Sequence, residues 1–317
     1  MSSSYLEILR PGINTTIQDK GRNHFYHIGI TKSGAMDQRT YMLSNALVEN
    51  DLSEGALEFA YQGPLLKLVN GNINFAITGD VVFKIIRKNS KIEEGECFKN
   101  YFLEDEDQID IITTKKTVYG YLAIQGGFEI EKTWDSYSIN TKAKIGPNSG
   151  EKFSKCQKIY IKDSKVKKFN EKKLNYNFSV KNTLRVIKGT NFNYFSEKSK
   201  INFFNNEYKV TKLSDRMGMR LEGPTLENIV STNIKSEGLV KGVIQVPADG
   251  KPIILLSDHG TIGGYPKIAV VINADYDSAV QLIPETKIIF KNTTLEEAEK
   301  YYEVYSDETK KYLEQIK

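Results

Sequence analysis

The densest group of chemically capable side chains in this 317-residue chain lies in the stretch DHGTIGGYPKIA, Asp258 to Ala269. It offers a carboxylate (Asp258), an imidazole (His259), two hydroxyls (Thr261, Tyr265) and an ammonium (Lys267). Gly260, Gly263 and Gly264 open backbone conformations closed to other residues and let a ligand approach the main chain. Successive free N–H groups in such a loop can cradle an anion. Pro266 restricts the chain just before Lys267, so the ammonium is presented rather than left to wander. The stretch joins the apolar runs PIILLS and IAVVINA, which a tight two-residue turn could have joined. A longer connection is either a ligand loop or a barrel loop whose glycines serve turning.

Three other segments carry candidate groups. TTIQDKGRNHFYHIGITKSGAMDQRTYMLSN, Thr15 to Asn45, supplies Gln18, Asp19, Arg22, His24, His27, Ser33 and Asp37. His24 and His27 stand three apart, a metal-ligand spacing on a helix, but no third ligand is evident, so hydrogen-bonded surface histidines are expected. Ser33-Gly34 ahead of a helix capped by Asp37 could offer backbone N–H groups to an anion. SDRMGMRLEGP, Ser214 to Pro224, sets Arg216 and Arg220 four apart. On a helix they would share a face and could capture a carboxylate or phosphate; alternatively Asp215 forms a structural salt bridge with one of them. KSEGLVKGVIQVPADGKP, Lys235 to Pro252, adds Ser236, Glu237 and Gln245.

Several chemistries lack their signatures. Ser-Glu-Gly is not a nucleophile elbow and no His lies near it in sequence, so a hydrolytic triad is not expected. Neither a Walker A loop nor GxGxxG occurs, so ATP or a dinucleotide is not expected to bind through those loops. No Lys sits in a biotin-accepting context of the AMKM type.

Short apolar runs dominate the elements that must position these residues. YLEIL, LLKLV, INFAI, VVFKIIR, QIDIIT, VYGYLAI, TLRVI, YKVTKL, GVIQV, IILLS, IAVVINA and KIIF all read as strands. VPADGKPIILL reads as a hairpin turning at Asp249-Gly250. Helical patterns are few: DQRTYMLSNALV, with Asp37 as N-cap; one short turn in DYDSAVQLI; and the charged tail from Thr294, where Thr294 and Glu297 have the capping-box spacing. The fold class is therefore mainly β, with barrels or sandwiches. The apolar-poor region 162–181 marks the boundary between an N-terminal β-rich lobe, 1–165, and a C-terminal β lobe, 182–292, followed by a helical tail, 293–317. The lobes are free to be discontinuous.

Composition bounds the rest. Basic residues number 44 and acidic residues 40, a net charge of +4. The densest basic run, KDSKVKKFNEKK, has almost no interleaved aromatics to stack bases and reads as a solvated linker, so no nucleic-acid partner is expected. Cys97 and Cys156 lie far apart and imply no disulfide framework. The opening MSSSYLEILRPGINTT has no basic region followed by an apolar core, and no run approaches 18 apolar residues. A cytoplasmic protein with reduced thiols, and no membrane partner, is expected.

Taken in order, TTIQDKGR, HIGITKSGAMD, LEFAYQGPLLKL, AITGD, AIQGGFE, SDRMGMRLEGP and SEGLVKGVIQVPADGKPIILLSDHGTIGGYPKIAVV resemble the allophanate hydrolase subunit 2, or biotin-dependent carboxyltransferase-like, family. That family includes the C-type component of bacterial 5-oxoprolinase and antagonists of a sporulation-kinase inhibitor. The resemblance runs from about residue 12 to 290 and omits the tail. It departs at Gly260-Thr261-Ile262, where the family has Gln-Thr-Thr, and at RVIKGTN, which lacks Gly-Pro-Gln.

The resemblance implies a cyclophilin-like β-barrel architecture. It also implies a heteromer with B-type and A-type partners, which opens 5-oxo-L-proline to L-glutamate. ATP would be consumed on the A-type partner, with no cofactor bound by this chain. Lys267, Arg216 and Arg220 would then meet the substrate's negative charges. The N–H groups of Gly263 and Gly264 would lie near the reacting centre, and Asp258 or Glu237 would manage protons. Thr261, Tyr265, Gln245, Gln18, Arg22 and Ser33 complete the expected small-molecule contacts. The alternatives implied are a urea carboxylase-like carboxyltransferase component, which would bring in biotin, and a non-catalytic antagonist that binds a kinase-inhibitor protein.

Overall fold

A computed structural model describes residues 3–162, 169–231 and 233–316. Half of the basic run expected as a linker, residues 163–168, lies outside the described residues. The chain divides into two compact units. One comprises Met1–Arg22, Ser33–Phe178 and Thr309–Lys317, the other Asn23–Lys32 and Ser179–Glu308.

The first unit holds two antiparallel sheets. One has six strands in the order Lys158–Tyr160, Tyr5–Arg10, Leu65–Val69, Gln108–Thr114, Val81–Ile86, Ile92–Glu94. The other has five: Thr16–Gln18, Ala56–Ala60, Tyr119–Ile124, Ile73–Thr78, Lys99–Leu103. The burial pattern shows which faces are covered. Val81–Ile86 alternates buried and half-buried residues, as a strand with one face on the core must. Ile73–Thr78 and Tyr119–Ile124 are buried throughout, because the helix Gln38–Leu47 packs on the face turned away from the shared core. Leu6, Phe59, Phe75 and Phe83, from both sheets, belong to one apolar cluster. The helix begins as its sequence predicts, with the Asp37 carboxylate accepting from the Thr40 N–H at 2.9 Å.

The second unit is a closed seven-stranded barrel. Its order is Thr183–Lys188, Lys267–Val271, Val243–Gln245, Ile253–Leu255, Gly218–Glu222, Tyr208–Ser214, Lys287–Asn292. Every pairing is antiparallel except the one that closes the ring, Thr183–Lys188 beside Lys287–Asn292. The predicted hairpin joins Val243–Gln245 to Ile253–Leu255 in the register Ile244 to Ile254. Gly250 at its turn has φ +71°, a conformation that favours glycine. Among the described residues, two α-helices lie wholly within this unit, Glu197–Asn205 and Asn273–Val280. The first was not expected; it is capped by Ser196, whose hydroxyl accepts from the Ser199 N–H, and it stacks Phe203 on Phe290 with ring centroids 4.5 Å apart.

The last helix, Leu295–Ile316, opens with the expected capping box. Thr294 N–H donates to Glu297 at 3.0 Å, and Glu297 N–H to the Thr294 hydroxyl at 3.2 Å. Within the second unit its Tyr301 ring lies 3.7 Å from the Arg185 guanidinium, which also binds Asp275. Within the first unit Arg39 donates to Thr309 at 2.8 Å. No helix among the described residues is long and apolar enough to cross a membrane.

Candidate functional site

The stretch Asp258 to Ala269 is less open than a bare loop. Ser257 and Asp258 turn the chain out of the barrel strand Ile253–Leu255, and Lys267 already begins the next strand. Between them Ile262–Gly263 pairs antiparallel with Glu237–Gly238, Gly263 standing opposite Glu237. The Leu239 N–H donates to the Thr261 carbonyl at 2.9 Å, and the Ile234 N–H to the Gly264 carbonyl at 2.9 Å. The extra residues thus build a small two-stranded ribbon outside the barrel. None of Gly260, Gly263 and Gly264 has a positive φ. Close packing is the reason for glycine at two of them: a Cβ on Gly263 would meet Leu239 at 2.8 Å, and one on Gly264 the Ile234 carbonyl at 2.9 Å.

The ribbon brings Glu237 to Lys267. Their charged groups form an ion pair; the lysine side chain is 6% exposed and the glutamate side chain 41%. The ammonium beside it, and after it the Asn191 amide, hold the Glu237 carboxyl below its ordinary range. Asn191, from RVIKGTN, is buried and its side-chain oxygen accepts from the Lys267 N–H at 3.1 Å. Lys267 is therefore not an exposed loop cation. It is a buried one, presented by a strand rather than by Pro266 alone.

Arg216 and Asp258 pair with each other. The guanidinium meets the carboxylate at 2.8 and 3.1 Å, with side chains 6% and 1% exposed. This corrects three expectations. The anion that Arg216 was to capture is supplied by the protein itself, which also occupies the carboxylate that was to manage protons. Arg216 and Arg220 share no helical face, because Arg216 sits in a turn and Arg220 in the strand Gly218–Glu222. Asp215 accepts from the Met217 and Gly218 N–H groups, fixing that turn.

Beside the ribbon lies a cavity of about 610 Å³. Of the expected residues, Gln245, Gly263, Gly264, Tyr265 and Arg220 line it. Gln245 is buried and donates to the Tyr265 carbonyl at 3.3 Å. Arg220 is exposed on the wall, and Leu213, Met217 and Ile262 form an apolar rim. Thr261, Glu237, Lys267, Arg216 and Asp258 are not among its lining residues. His259, to which the sequence assigned no role, does line it, and Tyr26 hydrogen-bonds to that imidazole at 2.9 Å. No local signal in the sequence ties Tyr26 to His259.

Gln18, Arg22 and Ser33 belong to the first unit. Gln18 is fully buried and donates to the Thr16 hydroxyl and the Ile139 carbonyl. Arg22 donates to the Ser138 carbonyl, and Ser33 accepts from Asn140 at 3.3 Å. Asp19 next to them accepts from Ser136, Ser138, Gly21 and Tyr137. This buried network holds chain segments together. Ahead of the helix Gln38–Leu47, the Met36 N–H donates to the Glu58 carboxylate at 2.8 Å and the Asp37 N–H to the Tyr121 hydroxyl at 2.8 Å. Glu58 thus places a carboxylate of the protein's own close to the start of this helix. His24 and His27 are exposed, and no group of three potential metal ligands occurs among the described residues.

The family model for the carboxyltransferase domain, subdomain A and B, matches residues 28–292. The C-type component of the 5-oxoprolinase of Escherichia coli (strain K12) is 31% identical over 317 residues, spanning 98% of this chain and 97% of its own. A urea amidolyase of Saccharomyces cerevisiae is 26% identical over 90% of this chain, which covers only 16% of that much longer protein. Among solved structures, K. lactis urea amidolyase superposes with a TM-score of 0.89 at 23% identity, over 98% of this chain and 20% of its own. At that identity the likeness concerns the fold.

Proposed function

We propose, for a chain that belongs to the family of carboxyltransferase domains of subdomains A and B, a role as the C-type component of an ATP-consuming 5-oxoprolinase. With A- and B-type partners it would open 5-oxo-L-proline to L-glutamate. The observation that carries this reading is the end-to-end correspondence with the C-type component of the Escherichia coli 5-oxoprolinase, without a large unmatched segment on either side.

The site chemistry is compatible with that reaction. An unstrained lactam is a stable amide, so ring opening needs activation, and ATP can supply it by phosphorylating the lactam oxygen. We place ATP binding on the A-type partner, a reading supported by the lack of a Walker loop in this sequence. On this chain the substrate would enter the cavity beside the ribbon. Arg220 on its wall suits a carboxylate or a phosphoryl group. The Gln245 amide and the main chain of Gly263 and Gly264 offer hydrogen bonds to the ring amide. Lys267, paired with Glu237 and not on the cavity wall, would act by fixing the ribbon that bears Gly263 and Gly264.

The test is reconstitution with A- and B-type partners from the same genome, following glutamate formation and ADP release together. Turnover that needs all three chains is expected. An unchanged rate when this chain is left out would overturn the assignment. A carboxyl transfer from carboxybiotin to a urea-like acceptor is a second reading, favoured by the fold shared with urea amidolyase. It predicts instead that a biotin carrier, rather than the A-type partner, restores activity.

A further inference from the structure

His259 is buried, 2% exposed, yet it forms part of the cavity wall. Both its ring nitrogens are engaged. Nδ1 lies 2.6 Å from the Gly260 carbonyl oxygen, which can only accept, so Nδ1 carries the proton. Nε2 is then an unprotonated acceptor, and the Tyr26 hydroxyl donates to it at 2.9 Å. Tyr26 comes from the separate segment Asn23–Lys32, which belongs to the same compact unit as the barrel. The ring is thus held in one tautomer with its basic nitrogen defined, the arrangement a proton acceptor needs.

Its burial favours the neutral ring. Burial pushes the His259 pKa below its ordinary value, against the Gly260 hydrogen bond and the Asp258 charge, and Lys241 lowers it further. The carboxylate of Asp258 is itself tied up in the bidentate pair with Arg216. Neither Glu237 nor Asp258, the carboxylates expected to move protons, lines the cavity.

We propose that His259 is the proton carrier of this cavity and that Tyr26 is the residue that positions it. The inference rests on the lactam-opening role proposed above. In that reaction the attacking water surrenders its protons as its oxygen bonds to the activated lactam carbon. The ring nitrogen gains those protons as the C–N bond breaks. His259 Nε2, released from Tyr26 toward the bound substrate, takes the water's two protons one after the other, first as the oxygen adds and then as the C–N bond breaks, and passes each to the nitrogen, ending as it began. The phosphoryl group that activates the carbonyl comes from the ATP consumed by the complex; it stays on the carbonyl oxygen through ring opening, and a second water then splits the resulting γ-glutamyl phosphate into glutamate and inorganic phosphate.

The experiment uses the reconstituted three-component complex with His259→Gln and Tyr26→Phe. His259→Gln keeps a hydrogen-bonding side chain but has no titratable nitrogen. It is expected to lower kcat by about a hundredfold or more, within the range for a lost general base, and to abolish the acidic limb of the pH–rate profile. Tyr26→Phe removes a bond made to the neutral imidazole, so it is expected to lower kcat less and to move that limb to higher pH. Nitrogen-15 spectra of the three-histidine chain, assigned with His259→Gln, should show the Nδ1-protonated tautomer for this ring. An active wild-type complex with an equally active His259→Gln variant, or a ring protonated on Nε2, would overturn the proposal alone. A wild-type complex inert toward 5-oxoproline would instead overturn the functional reading, and the relay with it.

Discussion

Lys267 and Glu237 form an ion pair whose two ends live in different solvents: the ammonium is nearly sealed in the barrel wall, while the carboxylate is well exposed to water. The asymmetry decides what each loss costs. Removing the glutamate strands a buried cation, whereas removing the lysine leaves a carboxylate that water can serve. Glu237→Ala is expected to destabilise the chain by about 3 kcal/mol, and Lys267→Met by about half of that or less. Urea unfolding of both variants measures the difference, and equal losses would contradict the assigned burial. In the reconstituted complex, Lys267→Met should reduce turnover by about tenfold, equivalent to about 1.4 kcal/mol of transition-state stabilisation.

Arg216 and Asp258 are both buried, so neither tolerates losing the other. Asp258→Ala is expected to cost about 3 to 5 kcal/mol. Replacing both residues together by apolar side chains of similar volume should recover much of that. A double-mutant cycle by chemical denaturation reads the coupling. Additive single losses would show that the pair is not a unit.

The glycines of the ribbon should separate by packing. Gly264→Val forces a side chain against the Ile234 carbonyl and should lower the melting temperature by several degrees. Gly260→Ala meets only the Ile262 carbonyl at 3.4 Å, ordinary contact, and should fold normally. Calorimetry of the two variants suffices; a Gly264→Val protein as stable as the parent would argue that the ribbon gives way freely.

Burying His259 as a neutral ring makes stability depend on pH. Its folded pKa is depressed, so the unfolded chain binds the extra proton first as pH falls. The contribution is complete above the ordinary histidine pKa of about 6.5 and fades as pH drops from there through the folded value. His259→Gln should flatten that part of the stability curve. An unaltered slope between the two proteins would mean that the ring is hydrated.

The chain should associate with a B-type partner over an interface of more than about 1,000 Å². On its own it should hydrolyse no ATP, lacking a phosphate-binding loop. Co-expression followed by purification on a tag carried by one partner checks the first point; an ATPase that persists through repurification of this chain alone would refute the second.

What could be read from the sequence was local. Asp37 and the Thr294–Glu297 box announce helix starts because a cap needs partners only three residues away. The Val243 to Leu255 hairpin was legible from its Asp-Gly turn and flanking strands. The helix Glu197–Asn205 also had a signal, Ser196 followed by an acidic first turn, overshadowed by the strand-like aromatics around it. The site itself was legible as a segment but not as an arrangement. Arg216 meets Asp258 across 42 residues, Lys267 meets Glu237 across 30 and Tyr26 meets His259 across 233. No periodicity encodes such meetings; they follow from the tertiary arrangement of the barrel, the ribbon and the segment that carries Tyr26. A spacing of four between Arg216 and Arg220 carried meaning only for a helix, and the strand register to Ile253–Leu255 removed it.

The parallel pairing of Thr183–Lys188 with Lys287–Asn292 has a consequence for the order of events during synthesis. The two strands that seal the ring are the first and the last of the barrel to leave the ribosome, about a hundred residues apart, or about 5 to 20 seconds at ordinary elongation rates. Through that interval Thr183–Lys188 presents an unpaired edge, the kind of surface on which nascent chains join one another. A chain that ends before Lys287 would keep that edge permanently, so premature termination here should yield aggregates rather than a shortened but soluble barrel.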